Sequence, residues 1–363
     1  MARFTSGGYT NGPNSLSATV AGEFLMRLEA SPLDWTVWDG TSSEWNKTIG
    51  HFDDMNVYQT SEWADHKSTS GWSVVRLVCL ADGARVVSAA QCLYRSGPLS
   101  TVVVWVPGGP IGDLNKVTPK FVALLKSHLN TKLIYVRIAV MRSSDHVTAG
   151  QLASYKWNKS TTTIGTKSSL VHLLDVKESI RLTRCSTNWK RNLKRSTKIQ
   201  SYPYVWQKPD STSLSSAYQE MNDYKQIEGV SLNRSAQDLQ SAIDVFGDKL
   251  ILVRSDDADG NALAIRGAIC FGDTAWDYIA ITTPAGRKTY ASYAVFWALA
   301  ESCFQLGMRQ FDLGGIDPIN NRGVYDFKKG TGSYQVDYEG EWDSASPRWF
   351  RAVASRLISR KVS

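Results

Sequence analysis

The sequence is poor in the residues that build metal centres and disulfide frameworks. It has five cysteines in 363 residues, Cys79, Cys92, Cys185, Cys270 and Cys303, and none forms a CxxC pair. An odd, scattered set argues against a disulfide scaffold and for a reducing compartment. Cys79, Cys92 and Cys270 stand in apolar runs and read as small buried hydrophobes. The five histidines are dispersed as well, without a helical pair at ligand spacing. No metal site is expected. No stretch reaches the roughly 18 apolar residues that span a bilayer. The first residues lack the charged-then-apolar pattern of a secretory signal. The expectation is a soluble, cytoplasmic protein.

What is present is a substantial apolar content, 42%, and a basic excess, 41 Lys and Arg against 34 Asp and Glu. The length favours two domains, and the apolar fraction is enough for a buried core. The net charge of +7 suits a polyanionic partner such as nucleic acid, anionic lipid or a pyrophosphate, and equally a plain basic enzyme.

The chain reads as strands and helices in a repeated order. Residues 1–20 read as a loose Gly/Ser/Thr-rich leader and 23–30 as a short helix. Ser73–Leu80, Arg85–Tyr94 and Thr101–Val106 are rich in strand formers and read as an antiparallel meander. Thr118–Leu129 carries apolar residues at helical spacing, and Leu133–Met141 is a strand. The polar stretch Tyr155–Thr166 reads as a crossover. Helices follow at about 176–196, 212–225 and 235–246. Strands come next at Leu250–Arg254, Leu263–Phe271 and Trp276–Thr282, then a helix at about 289–307 and a strand at Arg309–Leu313. A strand near 334–339 and a basic amphipathic helix near 346–360 close the chain. No residue-level repeat is visible, so a duplication rests on element order. The fold class is α+β, mixed sheets with flanking helices.

The most informative segment is RQFDLGGIDPINNRGVYDFKKGTG, Arg309–Gly332. From the residues alone it is a strand, a glycine turn and a helix with lysines that could simply be solvated. With FDLGGI at 311–316 and GVYDFKKGTG at 323–332 it resembles the Fem family of aminoacyl-tRNA-dependent peptidyltransferases. Thr331 replaces an aromatic residue usual there, which would reshape a pocket wall. YQTSEWADHK at 58–67 is similar to that family's Gln-Ser/Thr-x-x-Trp-Ala-x-x-Lys signature. PGGPIGD at 107–113 is similar to its Arg-Gly-Pro-x-x-Asp segment, with Gly109 where a basic residue is usual. Trp276–Ile316 follows the family's order of strand, Arg-containing turn, long helix and strand. The resemblance runs from about residue 55 to 340 and is specific for the superfamily rather than for a substrate.

The resemblance implies a tandem pair of acetyltransferase-like (GNAT-like) domains. The first would comprise 1–160 with 334–363 and take the acceptor. The second, 161–333, would take aminoacyl-tRNA. No charged helical hairpin stands between 170 and 250, so the chain resembles the compact members. The implied activity moves an amino acid from aminoacyl-tRNA to an amine of a peptidoglycan precursor or related nucleotide-linked or lipid-linked acceptor. Aminoacyl-tRNA is a co-substrate, and no cofactor is implied. Lys328 would stabilise negative charge on the carbonyl oxygen, and Asp113 would orient the acceptor amine or take its proton. Read alone, Asp113 is equally a turn cap. Gln59, Trp63, Lys67 and Trp72 would line the acceptor site, with Lys67 suited to a pyrophosphate or carboxylate. Tyr293 and Phe327 complete the substrate-binding set.

From Arg181 to Lys198 there are seven basic residues and no acidic one. Lys190, Lys194 and Lys198 fall at i, i+4 and i+8, with Arg191 and Arg195 beside them, which makes one basic helix stripe. Trp189 is a stacking candidate. The stripe is either a solvated face or, with Arg287, a tRNA contact. Arg287–Ser292, RKTYAS, opens the long helix where acetyltransferases carry a glycine-rich pyrophosphate turn; Tyr290 there disfavours acyl-CoA. The alternatives are therefore an acyl-CoA-dependent N-acyltransferase of surface polysaccharide synthesis and a non-catalytic nucleic-acid-binding module. In the terminal helix, Trp349, Phe350, Val353, Leu357 and Ile358 accompany five basic residues. That face reads as core packing, with a peripheral contact to the inner membrane surface as the other reading.

Overall fold

The computed structural model describes residues 34–82, 84–198, 202–225 and 235–362. The expected leader and the helix at 23–30 lie outside them. The strands are β1 (Asp34–Val37), β2 (Ser73–Ala81), β3 (Arg85–Gly97), β4 (Thr101–Pro107), β5 (Ile111–Gly112), β6 (Leu133–Ser143), β7 (Asn158–Lys159), β8 (Ser168–Leu173), β9 (Tyr204–Val205), β10 (Leu250–Asp256), β11 (Ala262–Phe271), β12 (Thr274–Thr282), β13 (Gln310–Gly315) and β14 (Tyr334–Ser346). They form one sheet in the order β1-β2-β3-β4-β6-β14-β8-β13-β12-β11-β10-β9, with β5 on β3 and β7 on β14. The class is α+β, a mixed sheet with flanking helices.

The duplication is plain in the topology. In the first half β2, β3 and β4 form an antiparallel meander, and the helix Pro119–His128 carries the chain to β6, parallel to β4. In the second half β10, β11 and β12 do the same, and the helix Ala291–Gln305 leads to β13, parallel to β12. Parallel neighbours require such a crossover. The two meanders sit at opposite ends of the sheet, so the halves meet at β14 and β8.

β14 joins them. Its first four residues, Tyr334–Asp337, pair with β8, and Tyr338–Ser346 pair with β6. The strand expected near 334–339 is thus more than twice as long, and the domain boundary expected at 334 falls at its start. The terminal helix is Phe350–Val362. The helix expected over 176–196 is two helices, Glu178–Arg184 and Thr187–Ser196. Ser186 breaks the run, because its side chain caps the second helix by accepting from Trp189 N at 3.2 Å. A helix at His146–Ser154 was not expected; Asp145 caps it, accepting from Thr148 N at 2.6 Å.

Each half has its own core. Val104, Phe121, Leu125, Ile134 and Val136 pack under the first crossover helix, and Val295, Phe296, Leu299 and Phe311 under the second. A third cluster spans both halves. Val57, Trp63 and Leu93 of the first pack against Leu214, Leu239, Phe246 and Ile279 of the second. This shared core fixes one half against the other and so fixes any site between them. The cysteines are free; Cys79 and Cys92 are buried as expected, whereas Cys270 is only half-buried.

Candidate active site

The geometry of the site begins with a difference in strand pairing. β12 and β13 run side by side for only three residue pairs, Thr274–Gln310 to Trp276–Asp312, and then part. β13 also slips its register against β8 between Asp312 and Gly315. The parting leaves a notch in the middle of the sheet, lined by Trp276, Asp277, Ser169, Asp312, Gly314 and Tyr338.

Polar groups concentrate around this notch. Asp312 accepts from Ser169 Oγ, from Tyr338 OH at 2.9 Å and from Gly314 N at 2.8 Å. Gly314 has φ 71°, a conformation that glycine adopts without cost. Burial and the Asp312 carboxylate push the Tyr338 phenol up, so it stays a donor. Asp277 takes a two-pronged contact from Arg266, at 3.1 and 2.8 Å. Its carboxyl is raised, first by burial, against the pull of Arg266 and Lys328.

Lys328 lies beside this pair. It is on the helix Arg322–Gly330, is 8% exposed, and donates from Nζ to Gly315 O at 2.7 Å. Burial lowers its pKa, with Asp277 and Asp312 opposing and Arg266 assisting. Two glycines let its helix approach. A Cβ on Gly330 would stand 2.9 Å from Trp189, and one on Gly332 would stand 2.5 Å from Arg184 O. Thr331 does not wall a pocket, contrary to expectation. It is fully buried and its hydroxyl donates to Lys328 O at 2.7 Å.

The notch opens into a cleft of about 320 Å³ on the first half, with Tyr58, Met141 and Thr166 common to both. Trp63, Lys67 and Trp72 line this cleft together with Trp105 and Glu341. Lys67 Nζ stands 4.8 Å over the Trp63 ring, and Trp63 packs edge-on against Tyr58 at 4.7 Å. Three of the four expected acceptor-side residues therefore share one cleft wall.

Gln59 is the exception and needs correction. It is fully buried, donates to Pro107 O at 2.7 Å and accepts from Gln91 N at 2.7 Å. Its task is to pin the turn at 57–60 to β3 and β4. That also explains Gly109: a Cβ there would sit 2.7 Å from Gln59 Nε2. Asp113 is also corrected. Its carboxylate accepts from Asn115 N at 3.0 Å and pairs with Lys116 at 3.5 Å, so it caps a turn. It lines neither the notch nor the cleft.

Tyr293 and Phe327 are packed in an aromatic cluster under the second crossover helix, 5.0 Å apart, with Trp189 at 5.3 Å from Tyr293. Neither lines the notch. Phe327 meets the polar cluster only through Arg266, which lies over its ring at 5.4 Å. Trp189 is buried in that cluster and offers no stacking surface. Arg181 drops out of the basic run as well. It is buried and pairs with Glu301.

The rest of the basic run is exposed. Arg191, Lys194, Arg195 and Lys198 face outward, with Lys190 half-buried. Arg195 donates to Tyr290 OH at 3.0 Å, which ties the strip to the turn bearing the exposed Arg287. Arg287 in turn covers the Tyr224 ring at 5.3 Å. The expected tRNA-facing residues thus share one surface, with two tyrosines between them. Tyr290 has φ 58° at the head of the helix Ala291–Gln305.

Asp277, Arg266, Ser169 and Tyr338 were not singled out from the sequence. The signal was a lone charge inside an apolar strand: Arg266 in ALAIRGAICF and Asp277 in TAWDYIAIT. Such a residue must find a buried partner. Among the described residues, no three His, Cys, Asp or Glu side chains converge as a metal site, and no helix is long and apolar enough to cross a membrane.

Residues 210–355 match the model of the FemAB family. A crystal structure of FemX is similar over 85% of this chain and 96% of its own, at 16% identity and a TM-score of 0.68. A tandem GNAT protein from the clavulanic acid biosynthesis pathway is similar over 86% and 98%, at 13% identity and a TM-score of 0.51. The C-terminal domain of a putative lysylphosphatidylglycerol synthetase from Agrobacterium fabrum is similar over 89% and 97%, at 11% identity and a TM-score of 0.50. No curated protein sequence matches the chain. At these identities the structural likenesses establish an acetyltransferase-like fold.

Proposed function

Because residues 210–355 match the FemAB family model, we propose that the chain is an aminoacyltransferase that makes an amide from aminoacyl-tRNA and an amine-bearing envelope precursor. The observation that carries this reading is the junction of the two sites. The Lys67–Trp63–Trp72 cleft runs into the notch that Asp277 and Asp312 line, beside buried Lys328. An acceptor held in the cleft would present its amine at the notch, and positioning of this kind supplies much of the rate of an amide-forming step.

The amine lone pair attacks the ester carbonyl carbon. The C–N bond forms as the C–O bond to the terminal ribose breaks. Lys328 faces the carbonyl oxygen as charge builds there, and its lowered pKa lets it pass a proton to the departing ribose oxygen. Asp277, its carboxyl raised by burial, receives the proton the amine loses. The exposed Arg191–Lys198 strip with Arg287 holds the tRNA phosphates. The acyl-CoA alternative is disfavoured by Tyr290. Its ring, held by Arg195, occupies the turn where a pyrophosphate needs bare backbone.

The test is transfer from a pool of radiolabelled aminoacyl-tRNAs to UDP-linked muramyl-pentapeptide, with acetyl-CoA run in parallel. RNase-sensitive labelling of the acceptor, lost in Lys328→Ala, is the expected result. Label arriving only from acetyl-CoA would overturn the reading in favour of an N-acyltransferase.

A further inference from the structure

The terminal helix divides its apolar residues between two faces. Phe350, Ala354 and Ile358 pack inward on Tyr135 and Ala345. Polar tethers add to this: Arg351 and Ser355 each reach Asp343 at 3.2 Å, and Ser359 meets Thr162 at 2.7 Å. The helix is thus anchored without its outer face. On that face Trp349, Val353 and Leu357 are 61%, 46% and 55% exposed. Their spacing of four puts them in one stripe. Exposed Arg348, Arg356 and Arg360 flank the stripe, and no acidic residue follows Asp343.

A groove at the start of this helix mixes the same two chemistries. Pro119, Ala123 and Trp157 give it apolar walls, and Lys156, Arg348 and Arg351 give it cations. An apolar stripe with an all-cationic border matches an anionic phospholipid surface, with the tryptophan at the headgroup level. A protein partner would need acidic residues around an apolar core, whereas a lipid surface presents both over any area.

We propose that the outer face of Phe350–Val362, with Trp349, docks this protein on an anionic membrane surface. The placement relative to the cleft gives the docking a purpose. Glu341 lines the acceptor cleft, and Asp343, two residues on along β14, lies beneath the helix. Alternate strand residues share a face, so cleft and helix occupy the same side of the sheet. Docking therefore sets the cleft beside the lipid headgroups, where a membrane-borne acceptor would reach it. The purpose rests on the proposed function, whereas the docking itself does not, because its test reads binding alone.

The test is co-sedimentation of the full chain with vesicles of phosphatidylglycerol and phosphatidylcholine, and with phosphatidylcholine alone. The expected result is binding to the anionic vesicles, weakened by salt, and little binding to the neutral ones. The triple variant W349S/V353S/L357S should lose about tenfold or more in partitioning. R356A should lose about fivefold. Both should keep the wild-type melting temperature, since none of the altered side chains is anchored inward. Absence of wild-type binding, or equal binding by the triple variant, would overturn the proposal. A concentration-dependent dimer that the triple variant dissolves, without vesicle binding, would overturn it in favour of a second copy of the chain.

Discussion

The two halves of the sheet carry the same parallel crossover and finish it differently. In the first half β4 and β6 pair at seven successive positions, from Thr101–Leu133 to Pro107–Ala139. In the second, β12 and β13 pair at three. Each crossover has a buried charge cluster near it. Arg137 of β6 meets Glu341 at 3.0 Å and Asp343 at 3.6 Å, and donates to Tyr135 OH and Thr162 O. Glu341 takes two more bonds, from the backbone of Ile164 and Gly165. Burial and Asp343 push the Tyr135 phenol up to about 12, so it remains a neutral partner. This cluster is satisfied by its internal bonds, and of its carboxylates Glu341 also borders the cleft. The second-half cluster has Lys328 lowered and Asp277 raised, side by side at an open notch. On the proposed function, the zipped crossover uses its buried charges to hold structure, and the parted one holds them ready for chemistry.

Removing one cation from each cluster should have opposite effects. Arg137→Ala leaves Glu341 and Asp343 buried with fewer partners, and should cost about 3–5 kcal/mol of stability, seen as a lower urea midpoint. Any loss of activity should follow the loss of folded protein or appear as weaker acceptor binding through Glu341, which Arg137 holds at the cleft, and not as a slower step at saturating acceptor. Lys328→Ala should do the reverse. Its transfer rate should fall by about 100- to 1000-fold, while the cost in stability stays at about 1–2 kcal/mol for the donor lost at Gly315 O. If Lys328→Ala unfolds the protein and Arg137→Ala only slows it, the assignment of roles is reversed.

A second difference lies in the two buried histidines: His66 of the first half has hydrogen-bond partners at both ring nitrogens, Ser241 and Tyr278, each at 3.0 Å. His172 on β8 packs against Phe296 at 5.8 Å and has an Nε2 without a hydrogen-bond partner. Burial, with Arg181 nearby, lowers its pKa to about 4. Its native pKa lies below the unfolded value near 6.5, so the unfolded chain binds the extra proton between them. Stability from this group is complete above about pH 6.5 and is lost as pH falls toward 4. The loss amounts to about 3 kcal/mol. His172→Phe should flatten the fall in melting temperature between pH 6.5 and 4. An unchanged slope would show that the histidine titrates normally in the fold.

Much of the frame was legible in the sequence because it depends on local pattern. The β2–β4 and β10–β12 meanders announce themselves by β-branched runs, and the crossover helices by apolar spacing. That Trp63 and Lys67 would stand together was legible too, since they share one short helix, Ser61–Ser68, and both line the cleft. What was not legible came from contacts distant in sequence. Gln59 looks like a ligand group until Pro107 O and Gln91 N are seen to consume its amide. Trp189 looks like a stacking surface until Tyr293 and Phe327 cover it. The break at Ser186 required a capping bond to be weighed against a long basic run. Arg266 and Asp277 could have been paired from their isolation in apolar strands, but their place beside Lys328 follows from a strand parting that no local pattern encodes.

The smallest expected effect is at Asp113. If the first half contributed the base, Asp113 would be the candidate, and Asp113→Ala would cost two or more powers of ten in rate. The geometry says otherwise. Its side chain is 37% exposed, pairs with Lys116 and caps the turn at Leu114–Lys116. Loss of a turn cap costs about 1 kcal/mol, and transfer should stay within about twofold of wild type. Asp277→Asn supplies the contrast in the second half. It keeps the shape of the Arg266 contact but cannot accept a proton, so it should slow transfer far more than Asp113→Ala does while the chain stays folded. Were Asp113→Ala the slower of the two, the amine's proton would leave toward the first half, and the notch would serve only to hold the ester.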